Sequence, residues 1–98
     1  MTEQARIMTE RRRSDILIML AQDSDYSIND NLLQEMLALQ GDSVSTDKLR
    51  TELAWLAEQD LVGIKSLPGC LVVTLRRRGV EVAQGVVVVP GVARPRAA

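Results

Sequence analysis

The side chains best suited to chemistry in this 98-residue chain stand in one run, Ser45-Thr46-Asp47-Lys48-Leu49-Arg50-Thr51. An arginine can address a guanine edge with two parallel hydrogen bonds, and lysine and hydroxyls reach phosphates or bases. Ser45, Thr46, Lys48, Arg50 and Thr51 are therefore candidate DNA contacts. Asp47 and the nearby Glu52 repel phosphate. They support a competing reading, a solvated helix face in which Asp47 answers the helix dipole and Lys48 and Arg50 form local pairs. A second cationic group, Arg76-Arg77-Arg78 with Lys65, Arg94 and Arg96, can form a phosphate-binding edge. The plainer alternative is a solvated short helix with arginine stems lying over apolar surface. Arg11-Arg12-Arg13 has the same two readings, with Glu10 and Asp15 partly neutralising it.

Two single residues stand out. Trp55 is the only tryptophan in a chain with one tyrosine and no phenylalanine. By the helical step it falls away from the neighbouring leucines, so it either meets a partner or is covered by another part of the same chain. Cys70 is the only cysteine; beside Gly69, at the start of an extended stretch, it reads as a small buried hydrophobe.

Catalysis has little to work with. There is no histidine, which removes the commonest general base and metal ligand, and a single cysteine gives neither a disulfide nor metal-ligand spacing. No nucleophile–base set, phosphate-cradling glycine loop or recognisable carboxylate pair is present. The expectation is a protein that binds without catalysis, using no cofactor and no metal.

These groups must be carried by one small domain, which needs a core. Apolar residues make up 46%, nearly all aliphatic. No apolar run is long enough to span a bilayer, and the N-terminus lacks the apolar segment of a secretion signal, so a cytoplasmic protein is expected. The net charge of −1 argues against indiscriminate polyanion binding. Its distribution is uneven: residues 23–47 hold six acids and no base, while residues 66–98 hold five arginines and one acid. An acidic face and a basic face are implied.

Periodicity places the elements. A first helix is expected from about Glu3 to Ala21, its arginine-interrupted first half exposed or facing a partner. Ser27 reads as an N-cap for a second helix, Ile28 to Leu39, stopped by Gly41 in a left-handed cap. Ser45 caps a third, about Thr46 to Gln59, whose stripe is Leu49, Leu53, Leu56 and Ala57. The period then shifts: Leu61–Lys65 and Cys70–Leu75 read as strands around Ser66-Leu67-Pro68-Gly69, where Pro-Gly suits a type II turn. A short helix follows from Arg76 to Gln84, with Thr74 as a candidate cap. Val86–Val89 is a third strand or a contact segment. The fold class is α+β: a winged helix-turn-helix with a three-helix core, a two-stranded hairpin wing and a short C-terminal helix. Residues 1–89 form the domain and residues 90–98 a Pro/Arg-containing tail.

Tyr26-Ser27-Ile28-Asn29-Asp30, Leu32-Leu33, Val44 through Gln59 and the closing Thr74-Leu75, Arg78-Gly79, Val82-Ala83, Gly85, Pro90-Gly91-Val92 and Arg94-Pro95 resemble the small winged-helix proteins of Mu-like phages and prophages. The resemblance spans roughly residues 14–96. Members are often labelled ArsR-like transcriptional regulators, a label that rests on fold analogy; the paired Cys and His sites of metal-sensing repressors are missing here, so metal sensing is not implied. Fold, charge and resemblance lead to two expectations. One is a DNA-binding regulator of phage or prophage type, a homodimer reading double-stranded DNA with helix 46–59. The other is a protein–protein module in phage morphogenesis or DNA packaging, binding another phage protein and no DNA. Two-fold pairing is expected through the first helix.

Overall fold

Twenty residues, Glu3–Gln22, form α1 in the computed structural model, which describes residues 1–96. Thr2 caps its start by accepting from the Ala5 amide. Ile16, Leu17 and Leu20 in its second half are fully buried, whereas Ile7 and Met8 in its first half stay exposed. Then come β1 (Ser27–Asn29), α2 (Asp30–Leu39), α3 (Thr46–Glu58), β2 (Val62–Leu67), β3 (Cys70–Leu75) and α4 (Arg77–Ala83). Among the described residues the architecture is α+β, four helices and one three-stranded antiparallel sheet of order β1-β3-β2.

Ser27 is not a helix cap. It pairs with Thr74 in the sheet, and their hydroxyls share a hydrogen bond of 2.6 Å. Asn29 caps α2, its side chain accepting from the Leu32 amide. The reason is local: three residues in extended conformation find an open edge on β3, and Asn29 is as good an N-cap as serine. Thr74 is thereby occupied and does not cap α4, which starts without a side-chain cap.

The hairpin is tighter than expected. β2 and β3 pair from Val62↔Leu75 to Leu67↔Cys70, leaving only Pro68-Gly69 as the loop. Gly69 has φ +82, the left-handed value that the third residue of a type II turn requires. Gly41, at φ +85, ends α2 as its position in the sequence implied, with the Asp42 amide returning to the Leu37 carbonyl.

The core joins all helices to the inner face of the sheet: Leu33 and Leu37 of α2, Leu49, Leu53 and Leu56 of α3, Val62 and Val73 of the hairpin. Two late residues complete it. Val89 and Val92 are buried, although residues 86–96 form neither helix nor strand. This segment is a strap across α1: the Ala93 amide donates to the Glu10 carbonyl, Arg11 Nη1 to the Arg94 carbonyl and Arg13 Nη1 to the Gly91 carbonyl. The core thus runs past position 89, and residues 90–96 are packed instead of trailing as a tail. Residues 97 and 98 of that expected tail lie outside the described residues. Among the described residues no helix is long and apolar enough to cross a membrane.

Candidate nucleic-acid interface

α3 turns Leu49, Leu53 and Leu56 inward and leaves Thr46, Asp47, Lys48, Arg50, Thr51, Ala54 and Glu58 exposed. Ser45 caps it, its hydroxyl accepting from the Lys48 amide at 3.0 Å. Thr51 donates to the Asp47 carbonyl, and Thr46 lies 3.4 Å from Gln34 of α2. By the 100° helical step, Lys48 and Arg50 stand on opposite flanks of this face, roughly 160° apart. Each head group is tied to a buried carboxylate, Lys48 through its ammonium and Arg50 through Nε. Lys48 meets Glu52 at 3.2 Å, and Arg50 Nε meets Asp30 Oδ2 at 3.0 Å. Glu52 and Asp30 are both 1% exposed.

The two anchors differ in what else they hold. Glu52 also takes Arg13 of α1 at 2.9 Å. Asp30 takes the Leu71 amide of β3 at 3.0 Å, so it links α2, α3 and the hairpin. Burial works against its ionised form, but the Leu71 N–H and the Arg50 guanidinium outweigh this and hold the carboxyl below its ordinary value.

Trp55 is covered in part by its own chain. It is half-buried, the Arg13 guanidinium lies 3.8 Å from its ring centroid, and Gly91 of the strap presses against the ring so closely that a Cβ there would lie 2.8 Å from it. The chain covers its own tryptophan because α1 and the strap converge on the flank of α3 that the leucines leave open. Arg12 is also withdrawn from solvent. It forks onto Asp42 with two bonds of 2.7 Å, and that pair holds its pKa above the ordinary value.

The remaining cations do not share one edge. Lys65 is exposed in the half of the hairpin nearer its turn, paired with Val72. Arg76 and Arg77 lie at the other end of β3, near the C-terminal end of α3, where Arg76 is 3.5 Å from Asp60 and Arg78 donates to the Gln59 carbonyl. Arg94 is on the strap beside Arg11; burial raises the Asp15 pKa, and Arg96 is close enough to offset part of that rise. Three separate cationic groups replace the expected single edge. Cys70 is half-buried at the start of β3. Sequence reasoning missed Asp30 and Glu52 as anchors; the only signal was an acid at each helical face boundary.

No family model matches the chain. It is 47% identical over 90 residues to the protein gp26 of Escherichia phage Mu, a match covering 92% of this chain and 93% of that one. It is 33% identical over 73 residues to a protein of Haemophilus influenzae, covering 74% and 71% respectively. Among solved structures it is similar to hsRosR-S4, determined as a complex, with a TM-score of 0.63 at 19% identity. That match covers 74% of this chain and 62% of hsRosR-S4, so the chain spans less than two thirds of that protein. At this identity the likeness concerns the fold alone.

Proposed function

The chain belongs to the family of the phage Mu protein gp26, and on that premise we propose that it is a winged-helix protein that binds double-stranded DNA as a phage or prophage regulator in the cytoplasm. α3 is the helix offered to the major groove and the β2–β3 hairpin is the wing. The order of three helices and a hairpin supports this, as does the fold likeness to hsRosR-S4. The observation that carries the reading is the outward face of α3. Its N-terminal half presents Thr46, Lys48, Arg50 and Thr51 to solvent, and Asp30 ties Arg50 to Leu71, two residues past the exposed hairpin turn.

Roles follow from placement. Arg50 is aimed at base edges. Ser45 and Thr46 stand at a helix start that carries partial positive charge and suits a phosphate. Lys65 on the wing contacts the backbone there, and Arg76 and Arg77 contact a separate stretch of it from the opposite end of the hairpin. Binding and not catalysis is the activity, in keeping with a chain that has no histidine. With a net charge of −1, affinity comes from these local groups and not from the field of the whole molecule. A homodimer belongs to the same reading, with the exposed Ile7 and Met8 of α1 as the surface that a second copy covers. Sedimentation that finds only monomer at high micromolar concentration removes that part.

Fluorescence anisotropy with labelled duplex fragments of phage DNA tests the proposal. Binding should weaken with salt, with a slope of log affinity against log salt of about −0.9 per phosphate contact. Failure to bind any fragment at low salt overturns it. One observation favours a second reading, a module that docks another phage protein: Leu39 is 88% exposed at the end of α2, and Val86 and Val88 are exposed on the strap. Co-purification lost on Leu39→Ser or Val86→Ser, in a protein inert toward DNA, would establish it.

A further inference from the structure

We propose that Arg50 is the base-reading residue of α3, that it selects guanine, and that Asp30 is the positioning residue that holds its guanidinium in the reading pose. The inference rests on the DNA-binding reading above and goes further, to the base that is recognised.

The geometry of Asp30 carries it. This carboxylate is 1% exposed and uses one oxygen on the Leu71 amide and the other on Arg50 Nε, each at 3.0 Å. It is held from two directions, by its place at the start of α2 and by the backbone of β3, so it has no freedom to swing. A guanidinium gripped through Nε keeps its two terminal nitrogens free on the opposite edge. That edge matches the paired acceptors O6 and N7 that guanine shows in the major groove. Adenine offers one acceptor and one donor there, so the same fork meets a mismatched hydrogen. The Arg50 side chain is 43% exposed, and the only ion pair that it makes among the described residues is through Nε.

Other cations lack this combination. Arg12 spends Nε and Nη2 on Asp42, and its side chain is 8% exposed. Arg76 reaches Asp60 only at 3.5 Å, and both partners are exposed, so its head is not fixed. Lys48 is anchored too, but an ammonium is a point charge without a fork. Fixing Arg50 in advance also lowers the side-chain entropy lost on binding. The buried charge of Asp30 does not repel phosphate, because Arg50 lies over it.

The test is selection of bound duplexes from a random-sequence library, followed by titration of the winning site. Wild-type protein should enrich a fixed G·C position. Replacing that guanine by adenine, or by 7-deazaguanine, which lacks the N7 acceptor, should weaken binding roughly 10-fold or more. Arg50→Lys and Asp30→Asn should shrink that penalty to about 2-fold while binding to unrelated duplex stays level or rises. Asparagine can still accept the Leu71 amide, so Asp30→Asn spares that tie and releases only Arg50. Loss of discrimination without loss of nonspecific affinity is not what a merely structural role produces. The 7-deazaguanine titration uses wild-type protein and stands even where a variant does not fold. Wild-type protein that binds duplex DNA without a guanine preference, or Arg50→Lys that keeps the full penalty, overturns the inference alone. Wild-type protein that binds no duplex overturns the DNA reading itself.

Discussion

The chain carries two arginine triplets, Arg11–Arg13 and Arg76–Arg78, alike in composition and opposite in fate. The first is consumed by the fold. Arg11 holds the strap, Arg12 is forked on Asp42, and Arg13 joins Glu52, Gly91 and the Trp55 ring. The second stays in solvent, held among the described residues by one long contact to Asp60 and one bond to a carbonyl. The difference does not lie in the triplets. It lies in whether α2, α3 and the strap bring acids and carbonyls against them. A cationic run is therefore no measure of a nucleic-acid surface until its carboxylate neighbours in space are known.

The largest way to disturb this contrast is through the footing of the second triplet. Gly79 packs α4 against the hairpin end, where a Cβ would lie 2.2 Å from the Leu61 carbonyl oxygen. Gly79→Ala should cost about 3 kcal/mol in urea unfolding; a cost near zero would mean that α4 is not held there. Arg12→Ala should cost about 2–3 kcal/mol, because it breaks a forked pair that is mostly buried and leaves Asp42, 21% exposed, without its partner. Arg13→Ala should cost about 2 kcal/mol through the loss of the Glu52 pair and the Trp55 stack.

Asp15 sharpens the comparison, since proximity to the first triplet does not guarantee a stabilising acid. Desolvation raises its pKa, and Arg11 and Arg96 only partly offset this. A carboxyl with a folded pKa above its unfolded one adds stability while protonated and loses it as pH rises through the folded value. Asp15→Asn should thus leave acid stability unchanged and raise thermal stability slightly at pH 7, within about 0.5 kcal/mol. A clear loss at pH 7 would contradict that. Arg76→Ala and Arg77→Ala should each move stability by less than about 0.5 kcal/mol. Their effect should appear instead in DNA titrations, as a salt slope shallower by about 1 for each phosphate contact removed.

What was legible in the sequence was local. The leucine steps of α3 and its Ser45 cap, the end of α2 at Gly41 and the Pro-Gly turn each involve residues within one turn or one hairpin of each other. β1 was hidden because three residues carry no period, and because the same Ser-Ile-Asn serves a strand edge or a helix cap. The ion pairs were hidden because their partners are far apart in the chain: 20 positions for Arg50–Asp30, 30 for Arg12–Asp42 and 39 for Arg13–Glu52. The cover over Trp55 comes from residue 91, in a stretch whose prolines and glycines give no pattern. Exposure of the α3 face was therefore readable, but which cations remain free around it was not.

The lone indole beneath Arg13 and Gly91 makes the molecule its own spectroscopic gauge. With a single fluorophore of its kind, emission reports one place, where strap, α1 and α3 meet. Peeling the strap away would wet the ring and redden its light while far-ultraviolet dichroism still recorded intact helices. Loosening of the strap can thus be timed separately from melting of the whole, with no label attached.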